Sequence, residues 1–115
     1  VEALSWLKAR GDKVCLISVC PKEEWEHLKE RVLDRVDVPL YFCETEDGKR
    51  QLCTEHRLAT YVDGSLLSLG QLPESVTTKF LFRPKKKEVL QYARLLKTVI
   101  QVETWEQILL KLMQK

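Results

Sequence analysis

The apolar positions of this chain follow two periods in turn. Segments with strand character occur at Lys13–Val19 (KVCLISV), a nearly continuous apolar run as expected of a strand covered on both faces, and at Val38–Cys43 (VPLYFC), Ala59–Val62, Thr77–Phe82 (TTKFLF) and Val99–Val102. Pro39 favours the start of the second strand and an edge position for it, and Pro84 stops the fourth. Between the runs the spacing becomes helical. Glu2–Arg10 puts Leu4 and Leu7 on one face, with Gly11 suited to the stop. Pro21 opens a helix over Lys22–Leu33 with Trp25, Leu28, Val32 and Leu33 at helical intervals. Leu66–Leu69 predicts a turn of helix. Lys85–Lys97 predicts a basic amphipathic helix with Val89, Leu90, Ala93 and Leu96 inward. Thr104 caps a last helix striped by Trp105, Ile108, Leu109 and Leu112. Glu44–Arg57 leaves two readings open: Asp47-Gly48 closes a β-hairpin, or it lies in a loop before a short helical segment.

Strands alternating with helices predict an α/β fold, a three-layer Rossmann-like arrangement with a mostly parallel sheet of four to five strands and helices on both faces. The 115 residues suit one domain, 1–115. With 44% hydrophobic and 31% charged residues the composition is that of a soluble protein, and a net charge of +2 gives no reason by itself to expect nucleic acid. No apolar run approaches the roughly 20 residues of a membrane span. Val1-Glu2-Ala3-Leu4 has neither a basic n-region nor an apolar h-region. A cytoplasmic setting is therefore expected, with Cys15, Cys20, Cys43 and Cys53 as reduced thiols.

Chemistry concentrates at strand ends. In an open α/β sheet the carboxyl ends of the strands border the ligand crevice. There the third strand runs into Asp63-Gly64-Ser65, an acid able to hold a cation or orient a phosphate, and equally a turn pair. Ser18 ends the first strand beside a helix start, where a hydroxyl and backbone N–H groups suit an anion. It also serves a strand that is leaving the sheet. Lys49, in Asp47-Gly48-Lys49-Arg50, would neutralise a phosphate or remain solvated surface.

Ser18, Lys49 and Asp63 in this order resemble the haloacid-dehalogenase-like (HAD) phosphatase superfamily, small nucleotidase-like members in particular. The ending, TKFLFRP followed by a basic segment and VIQVETWEQILLKL, is similar too. The resemblance runs from about Lys13 onward. It implies Ser18 and Lys49 as phosphate-binding residues and Asp63 as a Mg²⁺ ligand. The family's nucleophile, in a D-x-D that follows an apolar strand, has no counterpart: Asp12 precedes the first strand, and Asp34-Arg35-Val36-Asp37 has the wrong spacing. Gly64 stands where a second acid often does. The resemblance thus implies a non-catalytic relative acting through a protein partner or self-assembly. The alternative is a Mg²⁺-dependent phosphatase or nucleotidase whose nucleophile strand lies upstream of Val1.

Two further constellations compete. Were Asp47-Gly48 a hairpin turn, Cys43 and Cys53 would approach each other and, with Cys20 and His56, set out a zinc site, although the usual ligand spacings are not met. The stretch from Lys79 to Lys97 carries Lys79, Arg83, Lys85, Lys86, Lys87, Arg94 and Lys97 against the one acid Glu88. It would face phosphate, nucleic acid or an acidic partner, or be a solvated helix start. Lys85–Lys87 there oppose the helix dipole.

Overall fold

Each strand among the described residues pairs in parallel with a neighbour, so a connector between two paired strands must carry the chain back along its sheet. The computed structural model describes residues 2–11, 14–33 and 38–113. Asp12, Lys13 and the Asp34–Asp37 segment lie outside them. The chain divides into two compact units, Val1–Lys49 and Arg50–Lys115. No helix among the described residues is long and apolar enough to cross a membrane.

The first unit starts with helix α1 (Glu2–Ala9), closed at Gly11, whose φ of +96° suits glycine. Strand β1 (Leu16–Val19) pairs with β2 (Leu40–Cys43), from Leu16 opposite Leu40 to Val19 opposite Cys43. Between them come a 3-10 turn at Lys22–Glu24 and helix α2 (Trp25–Leu33), so Pro21 caps the 3-10 turn and the α-helix begins later than expected. Trp25 fastens this crossover. Its ring stacks on Phe42 at 5.6 Å, and its Nε1 donates to the Cys20 carbonyl at 3.0 Å. Burial of β1 falls short of the expectation: none of its residues is fully buried, and Val19 is 38% exposed.

Helix α3 (Glu46–Glu55) occupies the segment that had two readings, and there is no hairpin. Thr45 Oγ1 accepts the Gly48 N–H at 3.0 Å, and Glu46 and Asp47 sit in the first turn, where the helix dipole favours acids. Asp47-Gly48 is therefore a helix start and not a turn between strands. Glycine at 48 has a packing reason: a Cβ there would lie 2.9 Å from Cys43 Cβ.

In the second unit β3 (Thr60–Asp63), β4 (Thr78–Phe82) and β5 (Ile100–Val102) pair in chain order, Thr60 opposite Thr78 and Phe80 opposite Ile100. Helix α4 (Leu66–Gly70) lies in the first crossover. Helix α5 (Lys86–Gln91) and a 3-10 segment at Ala93–Thr98 form the second, and α6 (Trp105–Met113) closes the chain. Phe80 and Leu81 are successive residues of the middle strand, so they point to opposite faces. Both are fully buried, which means β4 is covered on both sides. On one side Phe80, Val102 and Ile108 form a cluster joined by Val62, Phe82, Ile100 and Leu112. The α6 start is a capping box: Gln107 N–H donates to Thr104 Oγ1, while Gln107 Oε1 accepts from the Glu103 and Thr104 N–H groups.

The basic segment departs from the single helix expected over Lys85–Lys97. Tyr92, at φ −118° and ψ 36°, ends α5, and the chain continues as a 3-10 segment with three residues per turn. The change of period resets which side faces in. Val89, Tyr92, Leu95 and Leu96 are half-buried, whereas Ala93 is exposed and Leu90 is 80% exposed. Leu95 sets this phase by packing on Gly70, where a Cβ would come within 2.9 Å of its Cδ1.

The two helical glycines separate on substitution. Gly48→Ala places a methyl against Cys43 Cβ, which cannot swing away, and should cost about 1–2 kcal/mol despite the helix propensity gained. Gly70→Ala meets the rotatable end of Leu95 and should stay within about 1 kcal/mol of wild type. Urea midpoints of the two variants check the order.

Candidate functional site

The carboxyl edge of the β1–β2 pair gathers Ser18, Cys20, Cys43, Glu46 and Lys49. Strand alternation puts the Ser18 side chain on the face of Phe42, and Cys43 on the face of Val19. Ser18 Oγ contacts Cys20 Sγ at 3.7 Å, and Cys43 Sγ reaches the Ser18 carbonyl at 3.9 Å. Lys49 is buried and holds Glu46 Oε2 at 2.7 Å, one helical turn back on α3. A buried cation requires such a partner. The Cys43 thiol is pushed up chiefly by burial. Lys49 pulls it down, and Glu46 and Cys20 push it up further. This favours the protonated thiol, the form suited to structure and not to nucleophilic attack.

In the second unit Asp63 is at the carboxyl end of β3, as the sequence indicates. Its Oδ1 accepts the Ser65 N–H at 3.0 Å, the pattern of an Asx turn. Ser65 is the N-cap of α4, its Oγ accepting from the Ser68 N–H at 3.2 Å. Glu88, from the first turn of α5, completes this corner. Its Oε1 accepts the Leu66 N–H at 2.6 Å and its Oε2 accepts the Ser65 hydroxyl at 3.0 Å. A carboxylate of the chain thus holds the helix start to which an external anion would be drawn. Gly64 lies close under β4, where an added Cβ would be 3.3 Å from the Phe82 carbonyl oxygen. That close approach gives position 64 a packing reason for a residue without a side chain.

Around Asp63, Oδ1 serves its own turn, both Glu88 oxygens accept hydrogen bonds from the Ser65–Leu66 corner, and position 64 has no side chain to offer a cation. Among the described residues no three His, Cys, Asp or Glu side chains gather to hold a metal ion. For the zinc alternative, the hairpin that was to join Cys43 to Cys53 is replaced by α3, with Cys53 buried on that helix and His56 just past its end. All four cysteines are thiols.

Sequence reasoning passed over Glu88 as a ligand of α4. Its signal was its isolation as the one acid from Lys79 to Lys97. Arg83 has a structural task in that stretch: at φ 47° it donates from Nε to the Glu103 carbonyl at 2.8 Å and from its N–H to the Val102 carbonyl at 3.0 Å. Compared with family models, curated proteins and solved structures, the chain matches none.

Two outcomes follow from this geometry. Glu88→Ala strands the Leu66 N–H and should cost about 1–3 kcal/mol, with Glu88→Gln costing less because a neutral acceptor remains. Unfolding in urea reads both. For Cys43, the raised folded value means the unfolded chain loses its thiol proton first, so stability falls as pH rises past roughly 8.5. Cys43→Ala should flatten that alkaline decline, as measured by denaturant midpoints in reducing buffer at neutral and alkaline pH.

Proposed function

We propose that this chain is a HAD-like, Rossmann-like α/β domain that acts through protein contacts and not through phosphoryl transfer. The observation that carries the proposal is Glu88 on the start of α4, where both carboxylate oxygens bond the Ser65–Leu66 corner. A phosphate drawn to that corner would have to displace an anion already tethered by the fold. Two other facts lend support. Asp63 is engaged in its own turn, and the Lys49 charge is neutralised by Glu46. For the fold part of the proposal, the support is the parallel pairing of the described strands, two in one sheet and three in another, with helices in the connectors between paired strands.

The test is hydrolysis of p-nitrophenyl phosphate by the chain, with and without Mg²⁺. The expected result is no Mg²⁺-dependent turnover, and no shift in melting temperature when Mg²⁺ and inorganic phosphate are added together. Turnover that disappears in Asp63→Asn would overturn the proposal in favour of a phosphatase.

A further inference from the structure

Glu88 is the sole acid between Lys79 and Lys97, and the structure turns it inward. The charged side chains that remain exposed on α5 and the 3-10 segment are all of one sign. Lys86 and Lys87 precede Leu90 by four and three residues, Arg94 follows it by four, and Lys97 comes three later. All five are exposed. The 3-10 segment keeps Arg94 and Lys97 aligned, because residues three apart eclipse there. Between these cations in sequence, and on α5 with Lys86 one turn before it, Leu90 is 80% exposed, the highest exposure among the large apolar side chains of the described residues.

We infer that the outer face of α5 and the 3-10 segment, Lys86, Lys87, Leu90, Arg94 and Lys97, binds an acidic protein segment that inserts one apolar side chain beside Leu90. Charge complementarity selects the partner's sign, and Leu90 selects its kind. A nucleic acid strand would use aromatic platforms for its bases, and Tyr92, the segment's one aromatic residue, is half-buried. A single leucine gives too little apolar area to hold a helix in a membrane interface. An acidic peptide with a Leu or Phe between its carboxylates satisfies both features. The inference rests on the protein-contact reading above and names the chemistry of the contact.

The experiment titrates the whole chain into a fluorescent Glu/Asp-rich peptide carrying one central Leu, beside its Glu→Gln, Asp→Asn counterpart and a single-stranded oligothymidylate of equal charge. The acidic peptide should bind and weaken as salt rises, and the amide counterpart should not bind. Leu90→Ala should weaken binding about fivefold to tenfold with the salt slope unchanged, since only apolar burial is lost. Lys87→Gln with Arg94→Gln should weaken it about threefold to tenfold and lower the slope. All these positions are exposed, and circular dichroism confirms that the variants fold. Failure of the acidic peptide to bind at low salt, indifference to both variants, or tighter binding of the oligothymidylate overturns the inference. Failure with phosphate hydrolysis still absent leaves the protein-contact reading standing. Mg²⁺-dependent hydrolysis removes that reading and this inference with it.

Discussion

A strand can pair in parallel with its successor only after the chain has been carried back along the sheet, and this demand shapes the connectors from β1 to β2, β3 to β4 and β4 to β5. The crossovers are short. That from β3 to β4 includes only the five-residue α4, and that from β4 to β5 is split between α5 and a 3-10 segment. Helices of this length do not persist on their own propensity, so contacts from elsewhere in the chain must fix their ends. Those contacts decide which polar groups remain for function.

Glu88 is the clearest instance. By capping α4 from α5 it joins two crossovers that lie on either side of β4 in sequence, using a charge-assisted bond where a water or an anion would otherwise serve. The same act empties the outer surface of α5 of negative charge. One carboxylate therefore closes the Asp63–Ser65 corner and leaves the exposed charges of α5 and the 3-10 segment all basic. In the first unit Glu46 plays a comparable part toward Lys49, over a single helical turn.

Where burial alone decides, the sequence is easily read. The apolar runs locate β2, β3, β4 and β5 to within two residues, and Thr104 with the Trp105–Leu112 stripe marks α6. Reading fails where a residue's partner is distant or its local preference is double. Gly48 looks like a turn because its close neighbour, Cys43, is visible only once α3 is set beside β2. Leu90 looks inward because helical periodicity cannot foresee the break at Tyr92. The candidate site shows the same division. Asp63 falls at a strand end as its context indicates, but the carboxylate that settles its surroundings comes from 23 residues beyond Ser65.

Cys43 and Cys53 are buried thiols, one in each compact unit. A thiol shielded in this way meets a reagent only when its surroundings open, so its labelling rate under native conditions reports the free energy of that opening. The chain thus carries two clocks of its own. Equal rates would mark the units as one cooperative body, and unequal rates would show which of them lets go first.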